Sequence, residues 1–176
     1  PYWDRDEVHE IYRDWRKVFD AYRPPRSAVA EAWVPGPRRP LYARPDELGQ
    51  AFNFEYLEAA WSAEELRRVI TEELATARAA GAAATWVLSN HDVVRHHSRL
   101  MLPPGTDPGA WLLSGGHAPA VDREAGLRRG RAATLLMLAL PGASYLYQGE
   151  ELGLPEVADL PTEVLQDPIW EQTGHV

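Results

Sequence analysis

The sequence predicts an α/β fold in which short parallel strands alternate with helices. Apolar residues recur with the helical period of about 3.6 in residues 6–22, 61–81 and 122–140. Short apolar runs that suit buried strands occur at residues 27–34, 50–57, 85–90 and 143–154. Alternation of this kind predicts parallel strands joined by right-handed crossovers, either in a doubly wound sheet or in an eight-stranded barrel.

The predicted helices carry their own boundary signals. In the second helix, Ser62 and Glu65 form a capping box, which is a signature of a helix start. The third helix contains Gly126 and Gly130, which are expected to interrupt it. The first helix stops before two prolines, and its apolar face consists of Val8, Ile11, Trp15, Val18 and Tyr22.

Two long segments, residues 35–49 and 93–121, are predicted to be loops because Pro and Gly are frequent in them. His96 and His97 fall in the second segment. Adjacent histidines point in different directions, and no carboxylate has metal-ligand spacing to this pair. Both histidines are therefore interpreted as loop residues, and no metal is expected at them.

Composition and charge narrow the class of partner. A net charge of -8 argues against nucleic acid or an anionic membrane surface as the partner, since both require an excess of Lys and Arg. The chain has no cysteine, which excludes disulfides and thiolate metal sites. It contains neither a signal-peptide pattern nor an apolar run of membrane-spanning length, so a cytoplasmic location is favoured over secretion.

Polar side chains follow each predicted strand. The third strand ends in "TWVLSNHD", where Asn90, His91 and Asp92 follow an apolar run directly. Ligands bind at the carboxyl ends of parallel strands, so such residues predict one face of an active site. No Gly-x-Gly-x-x-Gly or Walker-type loop supports nucleotide binding. The other strand-end residues are Glu31, Asn53, Glu55, Gln148, Glu150 and Glu151.

From the residues alone, each candidate has a structural alternative. Glu31 could be a strand-end acid satisfied by backbone N–H groups. Asp92 could be the N-cap of a following helix, which is a common position for Asp. His91 could be a semi-buried histidine with satisfied hydrogen bonds, and Arg95 could belong to a surface ion pair.

Three motifs in combination resemble the later motifs of the α-amylase family, glycoside hydrolase family 13. They are "AVAEAWV", "SNHD" and "LPGASYLYQGEELGLPEV", and the ending "LQDPIWEQTGH" resembles the bacterial α-glucosidase and oligo-α-glucosidase branch. The resemblance extends over the whole chain. It implies that residues 1–176 form one partial catalytic domain, the second half of a (β/α)8 TIM barrel with strands five to eight and their helices.

The resemblance also implies roles for the strand-end residues. Glu31 matches the general acid/base at the end of the fifth strand. Asp92 matches the carboxylate that binds sugar hydroxyls and stabilises the transition state, and His91 matches a second hydroxyl ligand beside it. Arg95 matches a basic residue that contacts substrate or orients Asp92.

Other parts of the family's site are expected elsewhere. Gln148 and Glu150 resemble residues that support the rim of the barrel, while Trp33 and Trp111 are candidates for stacking on a sugar ring. The nucleophilic Asp would precede Pro1 in the parent protein. Calcium ligands, where the family has them, would lie mostly there as well, so no cofactor and no metal is expected in this chain.

The implied function is that of a retaining α-glucosidase acting on oligosaccharides. Retaining hydrolysis needs an acid and a nucleophile about 5 to 5.5 Å apart, and that pair is incomplete here. The chain alone is therefore expected to be inactive and to self-associate through exposed barrel edges. The alternatives are a trehalose synthase-like or sucrose isomerase-like relative, and a non-catalytic transporter-associated glucosidase-like domain.

Overall fold

The computed structural model describes residues 2–164 and residues 166, 168 and 172. The motif at 165–175 thus lies largely outside the described residues. None of the helices in the described part combines the length and the apolar character needed to cross a bilayer.

The chain forms two compact units. The first contains the chain up to Ser89 and again Ala132–Tyr147, and the second contains Asn90–Arg131 and the chain from Gln148 onward. The prediction of one domain over residues 1–176 stays a prediction. The elements are α1 (Val8–Asp20), α2 (Arg39–Tyr42), α3 (Phe54–Glu58), α4 (Ala63–Ala80), β1 (Thr85–Val87), α5 (His96–Arg99), α6 (Pro108–Leu113), α7 (Arg123–Ala139), β2 (Ala143–Tyr145) and a 3-10 turn (Thr162–Val164).

Extended segments of the first unit pair in parallel and in chain order. Ala30 forms a parallel bridge with Ala51. The amide of Asn53 donates to the carbonyl of Thr85 at 3.1 Å, and strands β1 and β2 then pair in parallel over three residues. The predicted parallel direction is confirmed. A doubly wound sheet reverses its strand order at one point, and these four segments show no reversal, as expected of a barrel segment.

All four predicted strands are shorter in the structure, and β1 and β2 contain three residues each. Residues 27–34 and 50–57 form only one bridge and a few further backbone hydrogen bonds with their neighbours, and α3 begins at Phe54. Asn53 is fully buried, and its Oδ1 accepts a hydrogen bond from the amide of Tyr56 at 3.0 Å. This N-cap starts a helix inside an apolar run whose pattern suited a strand.

The first two predicted helices are confirmed with their boundary signals. Ser62 Oγ accepts from the amide of Glu65 at 3.3 Å, which is half of the predicted capping box. Gly81 ends α4 in the left-handed conformation at φ 67°. On α1, the partly buried side chains of Val8, Tyr12 and Phe19 pack against the hydrophobic core of the first unit.

A separate apolar stripe on α1 faces solvent. It runs along the helix at the spacing of residues that share one face. Each member is about half exposed although all four have aromatic or branched aliphatic side chains; the stripe consists of Ile11, Trp15 and Val18 on the helix and Tyr22 just after it. The apolar face predicted from the sequence is therefore largely uncovered in this structure.

A buried carboxylate attaches α1 to the segment after α2. Glu47 is fully buried, and three basic side chains surround it. His9 Nδ1 lies 2.7 Å from Glu47 Oε2, while Arg13 and Arg44 donate to Oε1 at 2.9 and 2.7 Å. Burying a charge is costly unless it is paired and hydrogen-bonded, so this cluster fixes the position of the helix.

The predicted loops contain helices, so that prediction is wrong in part. Residues 35–49 include α2, and residues 93–121 include α5 and α6. Asp107 Oδ1 caps α6 by accepting from the amide of Ala110 at 2.6 Å. His96 and His97 are helical residues of α5, each only 1% exposed, rather than loop residues.

The prediction that glycines interrupt α7 is also wrong, because the helix is continuous. A Cβ atom at Gly130 would overlap the ring of His97, and one at Gly126 would overlap Met101. The two glycines therefore allow α5 and the residues after it to approach the backbone of α7. Close packing, rather than a break in the helix, explains them.

We expect Gly130→Ala to destabilise the protein although alanine favours helix. Overpacking costs about 1–3 kcal/mol, which outweighs the gain of up to about 1 kcal/mol in helix propensity. Thermal unfolding followed by circular dichroism should show a lower midpoint, by roughly 2–4 °C per kcal/mol. The control Arg131→Ala, at an exposed position of the same helix, should leave the midpoint nearly unchanged. A midpoint at or above that of the wild type would contradict this packing argument.

We expect His97 to make stability depend on pH. Burial, followed by the neighbouring His96, lowers the pKa of His97 from 6.5 to about 4. Between these two values the unfolded chain binds a proton that the folded chain does not, so the free energy of unfolding falls as the pH falls. The slope contributed by one such group is at most about 1.4 kcal/mol per pH unit.

Denaturant unfolding of wild type and His97→Gln at several values between about pH 7 and about pH 5 tests this expectation. The variant should show a shallower decrease in the free energy of unfolding. His117→Gln, which replaces an exposed imidazole, is the control and should keep the slope of the wild type. Parallel curves for wild type and His97→Gln would show that His97 is not the group responsible.

Candidate active site

A side-chain turn shapes the chain after strand β1. Trp86 is fully buried, and Ser89 is 1% exposed, so the run that precedes the turn belongs to the core. Asn90 Oδ1 then accepts a hydrogen bond from the amide of Asp92 at 2.9 Å. This is an Asx turn, in which the side chain of Asn imitates a backbone turn. Asn90 thus has a structural role.

His91 and Asp92 both extend into solvent from this turn. Their side chains are 69% and 52% exposed, and His91 Nε2 lies 3.4 Å from Asp92 Oδ1. The N-cap of α5 is Arg95, so the alternative in which Asp92 caps that helix is wrong. The alternative of a semi-buried His91 is also wrong, because most of its side chain is exposed. The structure brings this imidazole and this carboxylate together on an accessible turn.

Arg95 connects two segments of the second unit. Its guanidinium Nη1 donates to the carbonyl of Gln148 at 2.7 Å, and its amide donates to Glu156 Oε2 at 3.2 Å. The amide of Glu156 in turn donates to Ser98 Oγ at 2.7 Å. These bonds hold residues 148–156 against the start of α5. A contact between Arg95 and substrate stays a prediction.

Glu150 is enclosed beside a buried histidine. It is 3% exposed, and its Oε1 lies 3.2 Å from Nδ1 of His96, which is 1% exposed. A carboxylate enclosed in this way has little surface accessible to a ligand. Gln148 is exposed, and its carbonyl binds Arg95. Support of the rim by Gln148 and Glu150 stays a prediction.

Glu31 lies in the first unit, within an extended segment. Ala30 and Ala32 are buried, whereas Glu31 and Trp33 are exposed, which is the alternation expected of an extended chain with one face in the core. Among the described residues, no hydrogen bond or ion pair holds the Glu31 carboxylate. The alternative in which backbone N–H groups donate hydrogen bonds to the Glu31 carboxylate therefore finds no support. The Glu31 carboxylate faces solvent.

The two candidate tryptophans differ in accessibility. Trp33 stacks on Phe54 with ring centroids 3.8 Å apart, and 39% of its surface is exposed. Trp111 is only 5% exposed, so it has no open face for stacking on the surface. Trp33 stays a candidate for sugar stacking.

Sequence reasoning missed Ser98 and Glu156, which fix the segment around Arg95. Their hydrogen bond joins positions 58 residues apart, and no local signal in either segment indicates it. Within the described part of the chain, no group of three or more His, Asp and Glu side chains is arranged to hold a metal ion.

Comparison with known proteins gives a family match and several relatives. The family profile described as the α-amylase catalytic domain matches residues 2–174. The trehalose synthase/amylase TreS of Mycobacterium tuberculosis is 30% identical over 173 residues, covering 86% of this chain and 28% of that protein. A probable α-glucosidase of Rhizobium meliloti is 39% identical over 85 residues, covering 48% of this chain and 12% of that protein.

A solved structure shares the fold. The α-glucosyl transfer enzyme XgtA matches with a TM-score of 0.68 and 28% sequence identity, covering 93% of this chain and 26% of the XgtA chain. The chain therefore spans about a quarter of the length of this enzyme and of the mycobacterial relative.

Proposed function

Because the chain belongs to the α-amylase family, glycoside hydrolase family 13, we propose that it is the second half of the catalytic barrel of a retaining α-glucosidase. The order of its parallel segments supports this proposal, since strands five to eight of a barrel are also neighbours in chain order. The substrates would be short gluco-oligosaccharides, cleaved at the terminal α-linked glucose.

The observation that carries the proposal is the exposed pair of His91 and Asp92 directly after a buried strand. A carboxylate accepts hydrogen bonds from sugar hydroxyls, and its negative charge stabilises the oxocarbenium-like transition state. The imidazole beside it supplies a second hydroxyl contact. In this proposal Arg95 positions the chain at this site through its bond to Gln148.

Glu31 is the proposed general acid/base. Its carboxylate is accessible on an extended segment, where it could protonate the oxygen of the leaving sugar. A retaining mechanism also needs a nucleophilic carboxylate about 5 to 5.5 Å from the acid. We place that nucleophile in a part of the parent protein outside residues 1–176.

Glucosyl transfer is the second candidate function. It is favoured by the similarity to a trehalose synthase/amylase and to an α-glucosyl transfer enzyme. The same residues would serve both reactions, because the two differ only in whether water or a sugar hydroxyl accepts the glucosyl group. A non-catalytic, transporter-associated domain is less favoured, since both Glu31 and Asp92 are present and accessible.

We expect Glu31→Gln in the full-length protein to lower the rate of glucose release from maltose and isomaltose by about 10²- to 10⁴-fold. A general acid matters less when the leaving group is good. The loss should therefore be smaller with p-nitrophenyl α-glucoside than with maltose. Asp92→Asn should lower both rates alike, on the order of 10²- to 10³-fold, because it removes electrostatic stabilisation of the transition state.

The control for these variants is Glu58→Gln, which replaces another exposed carboxylate of the first unit. It should retain the activity of the wild type. Chromatography of the products separates the two functions, since glucose alone indicates hydrolysis and a new disaccharide indicates transfer. An unchanged rate in Glu31→Gln would refute the assignment of Glu31 as the general acid. A wild-type protein without turnover would favour the non-catalytic, transporter-associated domain instead.

We also expect residues 1–176 expressed alone to self-associate and to lack turnover. In the described part of the chain, no strand pairs with the outer edge of β2, and α1 exposes its apolar stripe. Unpaired strand edges and exposed apolar faces both promote association. The double substitution Ile11→Lys and Val18→Lys should shift the size distribution toward monomer in light scattering, whereas the exposed control Glu10→Lys should not. A monodisperse wild-type monomer would contradict the expectation.

A further inference from the structure

Helix α5 follows the turn of His91 and Asp92 closely, and it is too short to be stable alone. It contains four residues, His96–Arg99, and the side chain of its N-cap residue Arg95 makes no capping hydrogen bond. Isolated helices shorter than about 12–15 residues are marginal in water. Bonds from other segments must therefore fix α5, and with it the turn that precedes it.

Glu156 supplies such bonds from a segment 61 residues after Arg95. Its Oε2 accepts a hydrogen bond from the amide of Arg95 at 3.2 Å, and its own amide donates to Ser98 Oγ at 2.7 Å. Each segment thus contributes one side chain and one backbone amide, as in a capping box whose two halves are far apart in the chain. Ser98 has no exposed surface, so its bond to Glu156 is shielded from water. We call this reciprocal pair of bonds the Glu156 clamp.

The Glu156 clamp differs from the other contacts between α5 and the same segment. Those contacts join the guanidinium of Arg95 to the carbonyl of Gln148 and the imidazole of His96 to Glu150. Both involve side chains of the α5 region that can rotate about their own bonds. Glu156 instead binds a backbone amide at the start of α5, so it fixes the direction of the main chain itself.

The Asp92 carboxylate depends on that main chain for its position. It is 52% exposed, and its described side-chain contact is His91, which is itself 69% exposed. Asn90 binds the amide of Asp92 rather than its carboxylate. Two residues separate Asp92 from Arg95, and one of them, Val94, is buried. Apolar burial is non-directional, so the hydrogen bonds of the Glu156 clamp determine how the turn is oriented.

We propose that Glu156 is a positioning residue for Asp92, and that it acts through the backbone of α5 with Ser98 as its partner. This inference rests on the proposed function, in which the Asp92 carboxylate stabilises positive charge on the sugar. Such stabilisation depends on distance, and a misplacement of about 1 Å can cost up to about 100-fold in rate. Substitution of Glu156 should therefore weaken binding of a positively charged sugar ring more than binding of a neutral one.

The test measures binding to the full-length protein by isothermal titration calorimetry, so it requires no turnover. The probes are 1-deoxynojirimycin, at a pH at which its ring nitrogen is protonated, and neutral D-glucose. Glu156→Gln should raise the Kd of the cationic probe by about tenfold and that of glucose much less. Ser98→Ala should act in the same direction although it removes no charge. A loss of stability alone would lower the fraction of protein that binds and would leave both Kd values unchanged.

The matched control is Asp159→Asn, which removes an exposed carboxylate from the same segment. In the described part of the chain, no hydrogen bond or ion pair holds the Asp159 side chain. This variant should leave both Kd values nearly unchanged, which separates positioning by Glu156 from a general loss of negative charge.

The double variant Asp92→Asn with Glu156→Gln tests the route of the effect. Asp92→Asn alone should raise the Kd of the cationic probe, and adding Glu156→Gln should raise it little further, because the carboxylate that Glu156 positions is gone. A selective loss in Glu156→Gln and Ser98→Ala that disappears in the Asp92→Asn background supports the proposal.

Three results would count against the proposal. Unchanged Kd values in Glu156→Gln and Ser98→Ala, in a protein that binds both probes, would overturn it and leave the proposed function standing. Additive effects of Asp92→Asn and Glu156→Gln would overturn it as well, since Glu156 would then act by another route. A wild-type protein that binds neither probe would remove the proposed function and this inference together.

Discussion

The parallel pairing of β1 with β2 is the constraint on which the candidate site depends. The amide of Ala143 donates to the carbonyl of Ala84 at 2.9 Å at the start of this pairing. Gly142, at φ 124°, makes the approach possible, because a Cβ atom there would collide with the backbone of Ala84. The indole of Trp86 fills the core beneath and donates to the carbonyl of Pro141 at 3.0 Å. Both strands end just before the segments that carry the candidate polar residues.

Burial separates the structural carboxylates of this chain from the proposed functional ones. Glu47, Glu73 and Glu150 are buried, and each has a basic or imidazole partner. For Glu73, burial raises the pKa and the neighbouring Arg39 opposes that rise. Glu31 and Asp92, in contrast, are exposed at the ends of extended segments. Carboxylates enclosed with partners hold the fold together, whereas the accessible ones are free to meet a ligand.

Membership of the α-amylase family is compatible with both proposed activities, hydrolysis and glucosyl transfer. Under these proposals, the outcome would depend on which hydroxyl reaches the glucosyl group, and therefore on how the site admits water or a second sugar. Segments that border the candidate residues are fixed by long-range bonds, such as those from Glu156 to Arg95 and Ser98. The shape of the site therefore depends on contacts outside its own motif.

The sequence by itself determined the long helices, the parallel strands and the family. Periodicity, the Ser62 cap and the polar residues after each strand are local signals, and three motifs together resemble one family. Only the tertiary structure decided that α7 is continuous, since the reason for Gly130 is a histidine far away in the chain. It also decided that Asn53 starts a helix and that Glu156 binds the start of α5. Such outcomes arise from packing between distant segments, which no local pattern encodes.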